Sequence, residues 1–510
     1  MPLLRRHAWL FIAVAPIAAL YFAWSWHGQI GSLLNDGITY LLMAQHYAHR
    51  GAADPGFAAA VLSQFPPLYP LLLAWLGAAA DVHLAHALTT MFLLLGLACF
   101  YAWMQVERFS SAQAALLMMA FAALPGSWLT GLLIQSEYLY LLWSLLALAL
   151  LSAYRNKQGD ELLLAAGLAV AAAALTRTIG ITLLLPLLLA ALRAGRRAGV
   201  LALLSALLPL LLWHALHATQ GNSYTESLRQ HYGHQNLNLL PQQLGNMEQA
   251  LDRGFAQNLL GDDRSSALAD ILGLLCLAAS AWRAARRNPD GLYLAGYALV
   301  LLLWPFPGEA GRFLWVVMPV LLAQPILLIA ELRRDPPHAT LPQLATVGCA
   351  AVVMAMALPR ISDAAERYRA AAYSVLPEAG GLQSWYTSVP AAATMRADAE
   401  LSLIASLSRI PDAVPAGDCV ISIRPDWINY YARRHSTYPP RDAVPDPYFG
   451  LQLRAARCHY LFASRFVDTD FTAPLYPLRR IPEQYQVLDY VELSGMPQSQ
   501  QPICELDRLR

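Results

Sequence analysis

The sequence is poor in charge and almost lacks lysine. Only 14% of its 510 residues are charged, against about 25% in soluble domains, so most of the chain is not dissolved in water. The formal net charge of +1 gives no field that would steer the protein to nucleic acid. Because Lys157 is the only lysine, a bound anion must be held by arginine, histidine or backbone amides, and arginine binds phosphate through two parallel hydrogen bonds.

Cysteine is also scarce. Three of the six cysteines lie in apolar segments, where they act as small hydrophobic residues; the others, Cys419, Cys458 and Cys504, lie in the polar C-terminal region. Their spacing matches no zinc motif. If this region lies outside the cytoplasm, one disulfide and one free thiol are compatible with it.

Long apolar segments dominate the rest of the chain. A helix needs about 20 mainly apolar residues to cross the bilayer, and the pattern predicts about eleven spans, the first read as a retained span and not a cleaved signal peptide. The segment 66–80 opens with two prolines and is interpreted as a juxtamembrane or re-entrant helix, with a twelfth span as the alternative. The predicted spans lie near 8–26, 84–104, 112–130, 138–154, 161–176, 178–193, 199–217, 265–283, 291–306, 313–331 and 341–359.

The arginines predict the orientation. If the N-terminus is cytoplasmic, the connectors on that side hold the basic groups and the opposite connectors are poorer in arginine, which satisfies the positive-inside rule. The N-terminus is therefore predicted in the cytoplasm and the C-terminus outside. The cytoplasmic groups are Arg5/Arg6, Arg108, Arg155/Lys157, Arg193/Arg196/Arg197, Arg283/Arg286/Arg287 and Arg333/Arg334.

Three regions then face outward: a first outer loop at 27–83, an outer loop at 220–264 and the C-terminal region 361–510. The predicted fold class is mainly α, a polytopic membrane helical bundle over 1–360 followed by a C-terminal extracytoplasmic α/β domain. Short apolar runs alternating with an amphipathic segment favour that α/β domain. The runs are strands at 419–423, 459–463 and 485–493, with a helix at 425–434.

Asp36 opens the first outer loop, and Tyr40 follows about one helical turn later. A carboxylate here fits the N-cap of a helix that starts at Gly37. It also fits a general base at the membrane edge, which accepts a proton from an attacking hydroxyl. Later in the loop, Tyr69 follows two prolines and has either a structural role in a turn or a place facing a cavity.

Charged residues recur at the predicted outer ends of the spans. Glu137 begins one span, and its carboxylate is either a solvated helix end or an inward-facing site residue. Arg177 lies in a short outer turn, where it either snorkels to the headgroups or binds a phosphate. Glu309 and Arg312 precede a late span. Together these side chains suit a phosphorylated, lipid-linked substrate.

The motifs also occur in an order known from one superfamily. They are D-G-x-x-Y-x-x-x-A (36–44), P-P-x-Y-P-L-L-L-A (66–74), Ser-Glu (136–137), L-T-R-x-x-G (175–180) and Arg-Phe (312–313). The chain resembles the GT-C superfamily of integral-membrane glycosyltransferases over about residues 1–360. Within it, the bacterial branch related to protein O-mannosyltransferases and to the lipid A aminoarabinose transferase is most similar.

The resemblance implies a polyprenyl-phosphate-sugar donor, inverting transfer at the outer face of a bacterial inner membrane, and Asp36 as the catalytic residue. It also implies that Arg177 and Arg312 hold the donor phosphate. Tyr40, Tyr69, Glu137 and Glu309 are further candidate substrate-binding residues. Where many relatives carry a second acidic residue after the aspartate, this chain has Gly37. A divalent cation is compatible with the superfamily, but the sequence indicates no metal site.

The expected partners are a lipid-linked sugar donor, membrane lipids and a glycan, lipid or protein acceptor, with no nucleic acid. Two alternatives stay open. A lipid-linked sugar transporter or flippase predicts polar residues buried in mid-span and inverted repeats. A polysaccharide polymerase or ligase is favoured only by the arginines and histidines of the 220–264 loop, such as Arg229 and His231.

Overall fold

The computed structural model divides the chain into two compact units. The first comprises Met1–Gly28, Ser63–Leu72 and Asp81–Glu366, and the second comprises Gln29–Leu62, Leu73–Ala80 and Arg367–Arg510. Apart from isolated residues and gaps, the structure describes residues 8–26, 36–49, 65–217, 267–303, 310–333, 340–371, 404–440, 444–464, 487–492 and 504–509.

The described part of the first unit is helical. Helix α2 belongs to the second unit and is numbered here in chain order with the others. The described helices of residues 8–371 are α1 (Ala8–Ser25), α2 (Gly37–Ala48), α3 (Leu68–Trp75), α4 (Val82–Val106), α5 (Ser111–Ala122), α6 (Pro125–Gly131), α7 (Glu137–Lys157), α8 (Asp160–Thr176), a 3-10 helix (Thr178–Leu183), α9 (Leu184–Arg193), α10 (Arg196–His217), α11 (Ala267–Ala285), α12 (Pro289–Leu302), α13 (Ala310–Trp315), α14 (Met318–Arg333) and α15 (Thr340–Ala371).

Four helices within the described ranges, α1, α4, α7 and α10, are long and apolar enough to cross a membrane. Several shorter apolar helices accompany them, and the predicted number of eleven spans stays a prediction. Helix α3 has 8 residues, about 12 Å at 1.5 Å per residue, which is too short to cross a bilayer core of about 30 Å.

The segment 112–130, predicted as one span, consists of two helices. Helix α5 ends at Ala122, and α6 begins at Pro125. Proline is accepted in a first helical turn but carries no N–H for a helix interior, so it starts α6 instead of continuing α5. The Ser110–Gln113 capping box fixes the other end of α5, as expected for this residue pair.

Two glycines allow close contact among α4, α7, α8 and α10. A Cβ at Gly96 of α4 would lie 3.2 Å from the backbone nitrogen of Leu142 in α7. A Cβ at Gly167 of α8 would collide with the Ser205 hydroxyl and the Ala202 carbonyl of α10. These helices therefore pack backbone against backbone, and most of their shared face is buried.

A buried ion network joins α11, α12 and α14. Arg283 makes a two-point contact with Asp290, with Nε 2.6 Å from Oδ2 and Nη2 2.9 Å from Oδ1. Its Nη1 donates to Glu331 at 3.0 Å, and the amide of Gln324 donates to Asp290 at 2.9 Å. Asp290 is fully buried, so its charge is balanced and hydrogen-bonded as a buried charge must be.

A five-stranded sheet forms the core of the second unit. Strand β1 is parallel to β2 and β3, and β5 is antiparallel to β3 and β4, in the order β2-β1-β3-β5-β4. Strands β1, β3 and β4 lie where the sequence predicts strands. The elements are β1 (Cys419–Ile421), α16 (Pro425–Trp427), β2 (His435–Thr437), α17 (Asp446–Ala455), β3 (Tyr460–Ser464), β4 (Val487–Glu492) and β5 (Cys504–Leu509), with a π-helical turn (Ile428–Ala432) after α16.

A disulfide joins Cys419 to Cys458. This is one of the pairings among Cys419, Cys458 and Cys504 that the sequence left open. The two cysteines pack with Ile421, Phe449 and Leu461 in a small apolar cluster. The predicted domain boundary at residue 360 lies inside α15, and the two units divide after Glu366. The extracytoplasmic location of this region stays a prediction.

Candidate functional site

Three separate elements of the first unit bring two arginines onto one carboxylate. Glu137 is the first residue of α7. Arg177 lies in extended backbone between α8 and the 3-10 helix. Arg312 lies in the short helix α13. The sequence predicts all three residues at one face of the membrane, and the structure places them in contact.

Glu137 is the centre of this cluster. Arg177 Nη1 lies 2.8 Å from Glu137 Oε1, and Arg312 donates from Nε to the same oxygen. Arg177 also donates to the Ser136 hydroxyl at 3.1 Å and stacks on the Phe313 ring at 5.4 Å. The Glu137 side chain is 1% exposed, whereas Arg177 and Arg312 are 11% and 22% exposed. The guanidinium groups therefore line the accessible side of the cluster.

The second oxygen of the Glu137 carboxylate, Oε2, is buried and has no hydrogen-bond partner among the described residues. A buried carboxylate oxygen without a donor is costly, and a hydrogen-bond donor, not a second acceptor, would satisfy it. The described part of the cluster holds two cations and one anion. It can therefore accept a further anion beside the arginines, such as a phosphate, in a low-dielectric setting that strengthens the attraction.

Aromatic contacts hold the elements of the cluster in place. The Tyr138 hydroxyl donates to the Ser127 carbonyl at 2.5 Å, and the Trp315 indole donates to the Ser127 hydroxyl at 3.0 Å. The Tyr297 hydroxyl donates to the Phe313 carbonyl at 2.7 Å. These bonds tie α13 to α6 and α12, and α6 to α7. A guanidinium in so short a helix would otherwise have a poorly defined position.

Asp36 belongs to the second unit. It occupies the N-cap of α2, as the capping interpretation predicts, but its side chain makes no capping hydrogen bond. Tyr40, one turn later, is buried. Further along α2, burial lowers the pKa of His46 below its usual 6.5, so His46 is neutral at pH 7 and supplies no cation. The catalytic role of Asp36 stays a prediction.

The remaining candidates have different positions. Tyr69 is fully buried, its hydroxyl pairs with that of Thr89 at 2.7 Å, and its ring packs edge-on against Phe92. This arrangement matches a structural role, and substrate binding by Tyr69 stays a prediction. Glu309 and nearly all of the 220–264 loop lie outside the described residues.

Metal donors come together at one place in the described chain. Ligand atoms of Cys419, His435 and Cys458 lie within 4.8 Å of one another. Structural zinc takes four ligands, with cysteine as thiolate. Because the two sulfurs form a disulfide and the described group has three members, this group does not fit a structural zinc site.

Comparison with solved structures assigns the fold. The chain is similar to the crystal structure of ArnT from Cupriavidus metallidurans bound to undecaprenyl phosphate, with a TM-score of 0.54 and 14% identity over 98% of both chains. The chain has the GT-C fold. The resemblance found in the sequence motifs is thus confirmed for the fold. The chain matches no family model and no curated protein sequence.

Two further solved structures are similar with lower TM-scores, and the fold assignment does not rest on them. ArnT from Cupriavidus metallidurans in the apo state has a TM-score of 0.48 and 15% identity, over 98% of this chain and 97% of that one. The Archaeoglobus fulgidus oligosaccharyltransferase in the apo form has a TM-score of 0.48 and 15% identity, over 89% of this chain and 69% of that one.

Sequence reasoning missed several parts of the cluster. It did not assign a contact to Phe313 or to the Ser136 hydroxyl, and it did not pair Glu137 with either arginine. The Ser-Glu and Arg-Phe dipeptides were the available signals, since each places a contact partner next to a charged residue. The direction of the Arg312 and Phe313 side chains also depends on the break after α13, which hydropathy does not reveal.

Proposed function

We propose that this GT-C chain is a glycosyltransferase that moves a sugar from a polyprenyl-phosphate-linked donor to an acceptor at the periplasmic face of a bacterial inner membrane. The observation that carries the proposal is the convergence of Arg177 and Arg312 on buried Glu137. Paired arginines bind phosphate through parallel hydrogen bonds. The ArnT structure with the same fold holds undecaprenyl phosphate, which supports a donor of this class.

In the proposed reaction, an acceptor hydroxyl attacks the anomeric carbon of the donor sugar. The new carbon–oxygen bond forms as the bond from that carbon to the phosphate oxygen breaks, which inverts the anomeric configuration. The hydroxyl proton passes to the Asp36 carboxylate as general base. Polyprenyl phosphate leaves with the bonding electron pair.

The two arginines stabilise the leaving phosphate. Negative charge grows on the phosphate oxygen as the glycosidic bond breaks, and a fixed cation at that oxygen lowers the barrier. Glu137 holds both guanidinium groups in one orientation before the donor arrives. In this proposal the carboxylate has a positioning role, and the arginines contact the substrate.

The test is transfer of a labelled sugar by the full chain in lipid nanodiscs, with a panel of polyprenyl-phosphate sugars and with lipid, glycan and protein acceptors. We expect Asp36→Asn to lower kcat by about 10²–10⁴-fold. We expect Arg177→Gln or Arg312→Gln to lower it by about 10²–10³-fold, as for loss of one oxyanion donor.

Matched controls are Asp412→Asn and Arg197→Gln, which make the same changes at exposed positions. Full turnover by Asp36→Asn would show that Asp36 is not the general base. Movement of the donor across the membrane without sugar transfer would instead identify a transporter of lipid-linked sugars.

A further inference from the structure

Arg424 is a rigidly held cation in the second unit. It lies between β1 and α16, and its Nε and Nη2 donate to the two oxygens of Asp426 at 3.1 and 2.8 Å. The guanidinium stacks on the ring of Trp427, 4.6 Å from its centroid. Asp426 and Trp427 are buried. A planar fork held on two sides has a fixed direction, unlike a surface arginine.

Helix α2 packs against α16 within this same unit. Asp36 is the residue immediately before α2, and Arg424 is the residue immediately before α16. The proposed base and the fixed cation thus each precede one of two helices that pack together, and the two groups interact electrostatically.

The charges around Arg424 agree with this geometry. Burial alone would lower the pKa of Arg424, but the Asp426 carboxylate, followed by Tyr438 and Asp36, raises it above its usual value. Asp426 contributes most to this rise, and Asp36 adds a smaller contribution from the N-cap of α2.

We propose that Arg424 is a positioning residue for Asp36, which belongs to the same unit. The inference rests on the proposed function, because it needs Asp36 to act as base. A carboxylate beside a fixed guanidinium is confined in direction, and a general base must meet its proton at hydrogen-bond distance.

A purely structural role would leave a different kinetic signature. The bidentate pair with Asp426 could serve only to close the turn after β1, and its loss would then disturb the fold of the module whatever residue stands at position 36. A positioning role acts through Asp36 and disappears when Asp36 is already replaced. Residues that act as one unit give non-additive effects.

The experiment is a double-mutant cycle on the full chain in nanodiscs, with Asp36→Asn, Arg424→Gln and the double variant. We expect Arg424→Gln to lower kcat by about 100-fold, the size of effect that a small misplacement produces, with the donor KM unchanged. The double variant should be no slower than Asp36→Asn. Arg424→Lys, which keeps the charge but lacks the fork, should recover part of the rate.

Arg454→Gln is the matched control, since Arg454 is exposed on α17 in the same unit. If Arg424→Gln is as active as that control, the inference about Arg424 is wrong, while the proposed function is unaffected. A double variant slower than Asp36→Asn by the full Arg424 factor would also overturn the inference. Absence of transfer by the unmodified chain would overturn the proposed function, and the inference with it. If Arg424→Gln does not fold, the same cycle with Arg424→Lys decides.

Discussion

Replacing Glu137 with glutamine is expected to destabilise the protein and to strengthen its response to a phosphate lipid. The change keeps the shape of the side chain but removes the charge that two arginines share. At an effective dielectric constant of about 20, the 2.8 Å contact to Arg177 represents about 6 kcal/mol of attraction before desolvation. Removal of one partner from a buried ion pair costs about 3–5 kcal/mol.

We expect the loss in unfolding free energy to be near the lower value, about 3 kcal/mol. The arginines are 11% and 22% exposed, so water can rehydrate them in part. The same change frees both guanidinium groups from a competing anion. If the lipid phosphate then binds about tenfold more tightly, its stabilising effect grows by about 1.4 kcal/mol at a fixed concentration above Kd.

The assay is thermal unfolding in detergent, with and without undecaprenyl phosphate. Arg177→Gln serves as the opposite case, because it also breaks the cluster but should reduce the lipid-induced shift. Glu161→Gln, exposed in the first turn of α8, should change stability by less than about 0.5 kcal/mol. An unchanged melting temperature and lipid shift in Glu137→Gln would refute this account of the cluster.

Three further predictions concern residues away from the charged cluster. Asp290→Asn leaves the Arg283 charge buried and should lower the unfolding free energy by about 3–5 kcal/mol, measured by thermal or denaturant unfolding. Serine at Cys419 and Cys458 opens a disulfide with a sequence separation of 39, and should destabilise the second unit by about 4 kcal/mol on the chain-entropy model, measured by protease sensitivity. Tyr69→Phe should cost about 0.5–1.5 kcal/mol through its lost hydrogen bond and leave the donor KM unchanged, whereas a raised KM would show substrate binding.

The apolar helices of the first unit follow from the sequence because their composition alone makes them insoluble in water. The breaks inside two predicted spans, 112–130 and 313–331, do not. A hydropathy window averages over Ala123–Leu124 and over Val316–Val317, where the backbone leaves one helix and begins another. Proline chemistry explains the start of α6, but the turn before α14 depends on packing of Trp315 and its neighbours.

Strand prediction in the second unit shows a similar limit. Strand β1 and residues 460–462 of β3 are apolar and buried, so their residues alone indicate the two strands. Strand β2 consists of His435, Ser436 and Thr437 and lies at an edge of the sheet. Three polar residues carry no periodic signal, and only pairing with β1 makes them a strand.

The residues of the charged cluster could be predicted from the sequence, but the contacts between their side chains could not. Alternation of arginine-rich connectors placed Glu137, Arg177 and Arg312 at one face, yet it could not say which side chains touch. Arg424 gave no signal, since it lies in the C-terminal region outside any recognised motif. Its partners Asp426 and Trp427 follow within three residues, but a turn with these residues is common without any functional role.

The Glu137 cluster also has a consequence for biogenesis. Arg177 follows Glu137 by 40 residues, and Arg312 follows it by 175. At about 5–20 residues per second, the ribosome reaches Arg177 within about 2–8 s but needs about 9–35 s to reach Arg312. During that interval the nascent chain carries the carboxylate with at most one of its two cations. Completion of the cluster is therefore a late event of synthesis, and a chain truncated before α13 should be a preferred substrate for membrane quality control.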